Sequence, residues 1–278
     1  FTSSMGGDRD GNPNVTSTLT QEVLSLSRWM AADLYLRDVR ELTNELSMWD
    51  ASEELVEAAS IHRDEFKRNR DEPYRLVLAN LKKRLLATLK WSEKLANGEI
   101  VEPGEALLTN DELIEPLMMC YRSLIEKGMH SVANGLLLDT IRRASCFGLQ
   151  LLKLDIRQDS ERHLNVMSEL TQYLGLGDVA KWEEQDKQTF LLKELQNKRP
   201  LIPQAWPCSD EVSEVLATCK VVAAQPAEAL GSYVISMASL PSDVLTVILL
   251  LKESGIQHNI GVVPLFETLD DLSGADDA

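Results

Sequence analysis

The sequence has few basic residues: 28 lysines and arginines stand against 44 aspartates and glutamates, giving a formal net charge of -16 at pH 7. Because the field around such a chain repels polyanions, this composition excludes non-specific binding to nucleic acid or to an anionic membrane surface. A small anionic substrate would need arginines close to it, within a Debye length of ~8 Å.

Long apolar runs and cysteine motifs are also missing. The run from Val244 to Leu251 is far shorter than the ~18 residues of a membrane span, so we expect no membrane segment. The 4 cysteines form no C-x-x-C pair and no metal-type spacing, which predicts reduced thiols in a cytoplasmic protein. The chain opens at Phe1 without a basic leader, and both ends suggest an internal piece of a longer protein.

The overall composition is that of a globular protein, with 44% hydrophobic and 26% charged residues. The sequence contains no internal repeat and no linker rich in Gly, Pro or Ser. We therefore expect residues 1–278 to form a single partial domain, with a helical insertion at about 17–147 and strand-helix units at about 148–278.

Helical periodicity dominates the first half of the chain. Val23, Leu26, Met30 and Leu34 recur at helical spacing after a predicted capping box, Thr18-x-x-Gln21. The segment 50–72 is charged, and its run from Arg63 to Arg70 is interpreted as a solvated loop or helix face. Helices are predicted at residues 17–48, 73–97 (with Pro73 in the first turn), 109–128 (opened by the box Thr109-x-x-Glu112) and 131–146.

Strands and helices alternate in the second half. Strands are predicted at residues 1–5, 149–156, 233–237 and 260–266, and helices at residues 159–174, 181–196, 209–225 and 244–252, the last capped by Ser242. This alternation is typical of a parallel sheet covered by helices, which places the chain in the helix-rich α/β class.

The predicted strand ends carry charged residues. The first strand leads into the loop Gly6 to Asn12, the second ends at Asp155 and Arg157, and Glu267 follows the last strand. Ligands bind at the carboxyl ends of parallel strands, so the combination predicts a site there, although each charge alone is ordinary for a strand end.

The loop Gly6 to Asn12 is not an EF-hand, because its glycine stands fourth rather than sixth. His163 is interpreted as a second-shell or surface residue rather than a base.

Four segments of this sequence resemble phosphoenolpyruvate carboxylase. They are Met5 to Thr16 (MGGDRDGNPNVT), residues 154–163 (LDIRQDSERH), Tyr233 to Ala238 (YVISMA) with Ser242 to Leu245, and Pro264 to Leu272 (PLFETLDDL). The resemblance implies a partial β/α barrel of the type found in that family, with long helical insertions. It also implies a cytoplasmic, usually tetrameric enzyme that depends on Mg²⁺ or Mn²⁺.

The implied reaction joins phosphoenolpyruvate and bicarbonate to give oxaloacetate and phosphate. By the same resemblance, Arg157 is a catalytic, charge-stabilising arginine, and Glu267 is one of the carboxylates that bind the metal. Leu265 resembles one wall of an apolar pocket around the substrate methylene. The loop Gly6 to Asn12 borders the site, and the resemblance gives it no role beyond shaping the floor.

Two departures from the family pattern bear on activity. The family normally has tryptophan at the position of Ser4, where its ring is the other wall of the methylene pocket. Motifs that carry a catalytic histidine, a second metal carboxylate and a mobile loop are absent from this sequence. We therefore expect the isolated chain to be inactive. The alternative is a non-catalytic acidic binding or scaffold module derived from the same fold.

Overall fold

A computed structural model describes residues 2–66 and 71–267 of the chain. They form a helix-rich α/β protein with a parallel sheet. The elements in chain order are β1 (Thr2–Ser3), α1 (Ser17–Glu45), α2 (Glu53–Ser60), α3 (Pro73–Ala96), α4 (Asn110–Glu126), α5 (His130–Val132), α6 (Leu138–Phe147), β2 (Lys153–Asp159), α7 (Ser160–Tyr173), α8 (Glu184–Gln196), α9 (Asp210–Ala223), β3 (Leu230–Ser236), α10 (Pro241–Glu253) and β4 (Gly261–Pro264).

The described residues group into two compact units. The first lies within residues 22–152 and the second combines residues 2–21 with residues 153–267. The expectation of a single domain, with its bounds near 17–147 and 148–278, stays a prediction. Among the described helices, none is both long enough and apolar enough to cross a membrane.

The first unit is a helical assembly around a leucine-rich core. Pro73 opens α3 as expected, because its fixed φ suits a first turn whose N–H groups have no helical partner. The expected capping box of α4 is confirmed: the Thr109 hydroxyl accepts from the Glu112 N–H, and the Glu112 carboxylate accepts from the Thr109 N–H. Side chains from α1, α3 and α4 fill the core, among them Leu42, Leu78, Leu85, Leu113 and Leu117.

The face that helix α1 buries is not the face predicted from the spacing of its apolar residues. Leu26, Met30 and Leu34 are 41–48% exposed, whereas the core face is formed by Leu24, Ala31, Tyr35, Val39 and Leu42. The helix is also capped by Thr16 rather than Thr18, since the Thr16 hydroxyl accepts from the Leu19 N–H at 3.2 Å. The helix itself was correctly predicted, but its orientation and cap were not.

Two further details of the helical part were not predicted. Helix α2 lies within the charged segment 50–72 and buries Leu55 and Ala59. Residues 67–70 of the run that was interpreted as a solvated loop or helix face lie outside the described residues. The fourth predicted helix is interrupted by a π-helical turn, Ala133–Leu137, in which Gly135 has a non-helical ψ of -136°.

The second unit is built on the sheet, whose strands run parallel in the order β1-β2-β3-β4. Strand β2 runs from 153 to 159 rather than from 149 to 156, so Arg157 lies inside it. Helix α10 begins at Pro241 with Leu240 as its N-cap, so Ser242 lies in the first turn and is not the cap. The Asp243 carboxylate instead accepts from the Ser239 and Leu240 N–H groups at 3.0 and 3.1 Å.

Four parallel strands confirm the α/β class with a parallel sheet. An eight-stranded barrel is not formed by the described residues, and it is taken up below as a proposal. The part of the last quoted segment that begins at Thr268 lies outside the described residues.

Candidate functional site

Arg157 holds the loop that follows β1 against strand β2. Its N–H donates to the Gly7 carbonyl at 2.9 Å, and its own carbonyl accepts from the Arg9 N–H at 2.9 Å. These bonds form a parallel bridge between Asp8 and Arg157 beyond the end of β1. The loop is thus fixed by backbone hydrogen bonds directly beside the Arg157 side chain.

Close packing at Gly7 makes this arrangement possible. A Cβ on Gly7 would overlap the carbonyl oxygen of Asp155 in the neighbouring strand. Any other residue would push the loop away from β2, because a backbone carbonyl within a sheet cannot move aside.

Three carboxylates surround the Arg157 guanidinium. Nη2 lies 2.6 Å from Oδ2 of Asp10 and 3.1 Å from Oε1 of Glu267, and Nε lies 4.0 Å from Oδ1 of Asp8. The structure thus brings Arg157 and Glu267 together, as their positions at the strand ends suggested. The aspartates were missed, although their i, i+2 spacing around Arg9 would have placed both on one side of an extended loop.

Glu267 is held by both of its carboxylate oxygens. Oε1 pairs with Arg157, and Oε2 accepts from the Met237 N–H at 3.1 Å. Met237 has a φ of 53°, which is uncommon for a residue other than glycine. The left-handed turn after β3 thereby presents a backbone donor to a residue that follows β4.

Arg9, which is 4% exposed, anchors the loop Gly6 to Asn12 on its buried side. Its guanidinium donates to the Gly7 carbonyl at 3.0 Å and to the Thr20 hydroxyl, and that hydroxyl in turn donates to the Gly6 carbonyl at 2.7 Å. Burial lowers the pKa of Arg9 from its ordinary value. The two arginines therefore have different roles: Arg9 supports the loop from inside, and Arg157 faces the carboxylates.

Ser4 and Leu265, the predicted walls of an apolar pocket, are placed by backbone contacts. The Ser4 carbonyl accepts from the Gly7 and Asp8 N–H groups at 2.9 and 3.0 Å, and the Ser4 side chain is exposed. Leu265 is half-buried, and its N–H donates to the Ile235 carbonyl at 2.8 Å. A shared pocket between these two residues stays a prediction.

The described residues do not fit a metal centre by themselves. Within residues 2–66 and 71–267, no group of three or more His, Cys, Asp or Glu side chains is arranged to hold a metal ion. Both oxygens of Glu267 already have partners, and the carboxylates near it face the Arg157 guanidinium.

His163 is a core residue rather than a surface residue. It is 1% exposed, and its Nε2 lies 2.9 Å from the Tyr233 hydroxyl. Burial lowers the pKa of His163 to about 3, so the imidazole is neutral near pH 7. The surface alternative for His163 was wrong.

The fold and site define a parallel α/β protein in which charged residues from three separate segments meet beside neighbouring strands. The family model of phosphoenolpyruvate carboxylase matches residues 1–278, and the chain belongs to this family. It is 60% identical over 278 residues to the phosphoenolpyruvate carboxylase of Hahella chejuensis, covering 100% of this chain and 31% of that protein.

Other relatives give the same result. The chain is 58% identical over 274 residues to the phosphoenolpyruvate carboxylase of Marinobacter nauticus. This alignment covers 99% of this chain and 30% of the relative. It is 54% identical over 278 residues to the enzyme of that name from Escherichia coli O1:K1, covering 100% of this chain and 31% of the relative. The chain thus spans less than a third of the length of these curated relatives.

Proposed function

We propose that this chain is part of a phosphoenolpyruvate carboxylase that forms oxaloacetate and phosphate from phosphoenolpyruvate and bicarbonate. The observation that carries the proposal is the meeting of Arg157, Asp10 and Glu267 in a chain of this family. Ligands of parallel α/β proteins bind at the carboxyl ends of the strands, where these residues lie.

The reaction concentrates negative charge, and Arg157 is suited to hold it. In the proposed course, bicarbonate attacks the phosphoryl group to give carboxyphosphate and the pyruvate enolate. Carboxyphosphate then breaks down to carbon dioxide and phosphate, and the enolate carbon captures the carbon dioxide to give oxaloacetate. Preorganised donors that face such charge lower the barrier, because they need no reorganisation during the reaction. In the described part of the chain, Nη2 of Arg157 is shared between Asp10 and Glu267, while Nη1 donates no hydrogen bond and is available to an anion.

We assign Mg²⁺ or Mn²⁺ as the cofactor of the intact protein, with Glu267 as one ligand. Such an ion, when bound, would neutralise charge on the substrate oxygens. One carboxylate does not hold a strongly hydrated Mg²⁺ ion, so the remaining ligands would have to come from outside the described residues.

We infer the finer features of the fold and assembly from the family to which the chain belongs. The four parallel strands would supply half of an eight-stranded barrel, and the intact protein would be a homotetramer.

Leu265 would line an apolar pocket around the substrate methylene, opposite Ser4. A serine there covers less apolar surface than the tryptophan expected from the family, so it would shield the enolate less well from water.

Oxaloacetate formation from phosphoenolpyruvate, bicarbonate and Mg²⁺ tests the proposal. The full-length product of the gene should form oxaloacetate and phosphate in equal amounts. The chain of residues 1–278 should form none above the uncatalysed background, since it lacks the family's histidine and second metal carboxylate. A folded full-length protein without this activity would contradict the proposed reaction, and turnover by the isolated chain would contradict its proposed dependence on the missing motifs.

A further inference from the structure

The second unit contains a cavity apart from Arg157 and its carboxylates. It has a volume of about 200 Å³ and lies between α7, α8 and α10. Its deep wall is formed by apolar side chains, of which Met167, Val179 and Leu191 are 1–3% exposed. A cavity of about 150 Å³ with such a lining is large enough to bind benzene, so a single ring with one substituent fits here.

Two polar groups of this lining make no hydrogen bond beyond those described, and one of them, Nδ1 of His163, is a buried atom. The imidazole of His163 uses Nε2 for the Tyr233 hydroxyl, while its buried Nδ1 has no hydrogen bond. Thr246 is 8% exposed, and its hydroxyl makes no hydrogen bond within the described part of the chain. Buried polar groups are nearly always paired, because leaving them unpaired costs free energy. The unpaired Nδ1 of His163 therefore points to an occupant that would pair with it, and the Thr246 hydroxyl lies in the same lining.

The charges of the lining select against an anion. Glu161 and Asp243 are two negative residues against the single positive Lys187. Glu161 is exposed at the rim, and Asp243 already accepts from two backbone N–H groups of the α10 cap. The deep groups are uncharged, since burial lowers the pKa of His163 to about 3. An uncharged occupant avoids the desolvation cost that a buried charge would carry.

We propose that this cavity binds a small uncharged molecule with an apolar body and one hydroxyl group, such as a phenol or a cyclic alcohol. The hydroxyl would pair with Nδ1 of His163 and with the Thr246 hydroxyl, and the ring would contact Met167, Val179 and Leu191. A hydroxyl suits this position because it both donates and accepts, and so matches either tautomer of a neutral histidine.

The test uses the 278-residue chain and three fluorinated probes followed by ¹⁹F NMR. 4-Fluorophenol should bind saturably, with an affinity on the order of millimolar for so few atoms. Fluorobenzene lacks the hydroxyl and with it both proposed hydrogen bonds, so it should bind about 25-fold more weakly, at about fivefold for each net hydrogen bond. The anion 4-fluorobenzoate should show no saturable binding. Absence of 4-fluorophenol binding to the folded chain, or equal affinity for fluorobenzene, would overturn the proposal.

Matched variants locate the binding. Leu240→Trp, at a half-exposed position in the lining, should abolish binding, whereas Leu192→Trp, at a similarly exposed position on α8 outside the lining, should leave it unchanged. Thr246→Val keeps the shape and removes the hydroxyl, and it should weaken 4-fluorophenol binding by about fivefold without affecting fluorobenzene. Binding that survives Leu240→Trp in a chain with unchanged circular dichroism would place the probe elsewhere and refute the assignment.

Discussion

Nη2 of Arg157 lies 2.6 Å from Oδ2 of Asp10, although 147 residues separate the two in the sequence. Asp10 is carried by a loop that β2 fixes through backbone hydrogen bonds, so the ion pair is a consequence of strand pairing. Since both side chains are less than one-third exposed, solvent screens this pair less than a surface pair.

We predict that Asp10 orients Arg157 for its role. Asp10→Asn keeps the shape but removes the charge, so the guanidinium should sample more positions, and turnover of the full-length protein should fall roughly tenfold. Steady-state kinetics of oxaloacetate formation measures the effect. Asp33→Asn, which removes the i, i+4 partner of the exposed Arg37 on α1, is the matched control and should leave turnover unchanged. Equal turnover in both variants would show that Asp10 does not position Arg157.

Arg157 itself should matter far more than an arginine on the helical surface. Arg157→Ala should lower turnover of the full-length protein roughly a hundredfold, as is typical when one preorganised donor is lost. Arg143→Ala breaks a 2.8 Å ion pair with Asp38 on the helical unit and should have little effect. A similar loss of activity in both variants would mean that nearness to the predicted site does not decide the effect.

Gly7 should be essential to the packing of the loop for steric reasons alone. Gly7→Ala would drive a Cβ into the Asp155 carbonyl and should lower the free energy of unfolding by about 1–3 kcal/mol. Gly261→Ala is the control, because its added Cβ would lie an ordinary 3.7 Å from the Ser232 hydroxyl. Urea unfolding of the two variants compares them directly. A Gly7→Ala protein as stable as Gly261→Ala would show that the loop can move away from β2 at little cost.

His163 should make the second unit sensitive to acid. Its pKa is about 3 in the folded chain against 6.5 for an ordinary histidine, so the unfolded chain binds the extra proton between these values. Stability should therefore be full above pH 6.5 and fall as pH drops, by up to about 1.4 kcal/mol per pH unit from this group. Replacing the histidine with glutamine keeps a hydrogen-bonding side chain but removes the titration.

Comparing the wild-type chain with His163→Gln isolates this effect from the other titrating groups. Urea unfolding between pH 7 and pH 4.5 should show a steeper loss of stability in the wild-type chain than in His163→Gln. Parallel stability curves for the two proteins would mean that His163 takes up its proton without unfolding the chain.

Local sequence signals predicted the elements well where the chemistry is local. Pro73 and the Thr109 capping box identified the starts of α3 and α4, because a fixed φ and a reciprocal side-chain hydrogen bond depend only on neighbouring residues. The buried face of α1 was not predictable in this way. Leu26 and Leu34 have suitable apolar spacing, but which face is buried depends on helices distant in the sequence.

The candidate site was predictable in part for the same reason. Charged residues near strand ends indicated Arg157 and Glu267, and the structure brings these two together. Asp10 could not be assigned a partner from sequence, because its contact depends on the register between the loop and β2. The buried position of His163 on α7 was also missed, since its partner Tyr233 lies on β3, 70 residues further along the chain.

The outermost pairing of the sheet has a consequence for the order of folding. Strand β1 pairs with β2 through Thr2 and Ser3, and the loop after it adds a bridge between Asp8 and Arg157, so residues 9–152 lie between the paired segments. Closing such a long loop costs conformational entropy, and so few residue pairs offset only a small part of that cost. Strands β2 and β3 are closer in sequence and share a longer register, from Leu154 to Asp159. Pairing of β1 should therefore be the last step of assembly and the first to open, and amide hydrogen exchange at Thr2 and Ser3 should be faster than at the centre of β2.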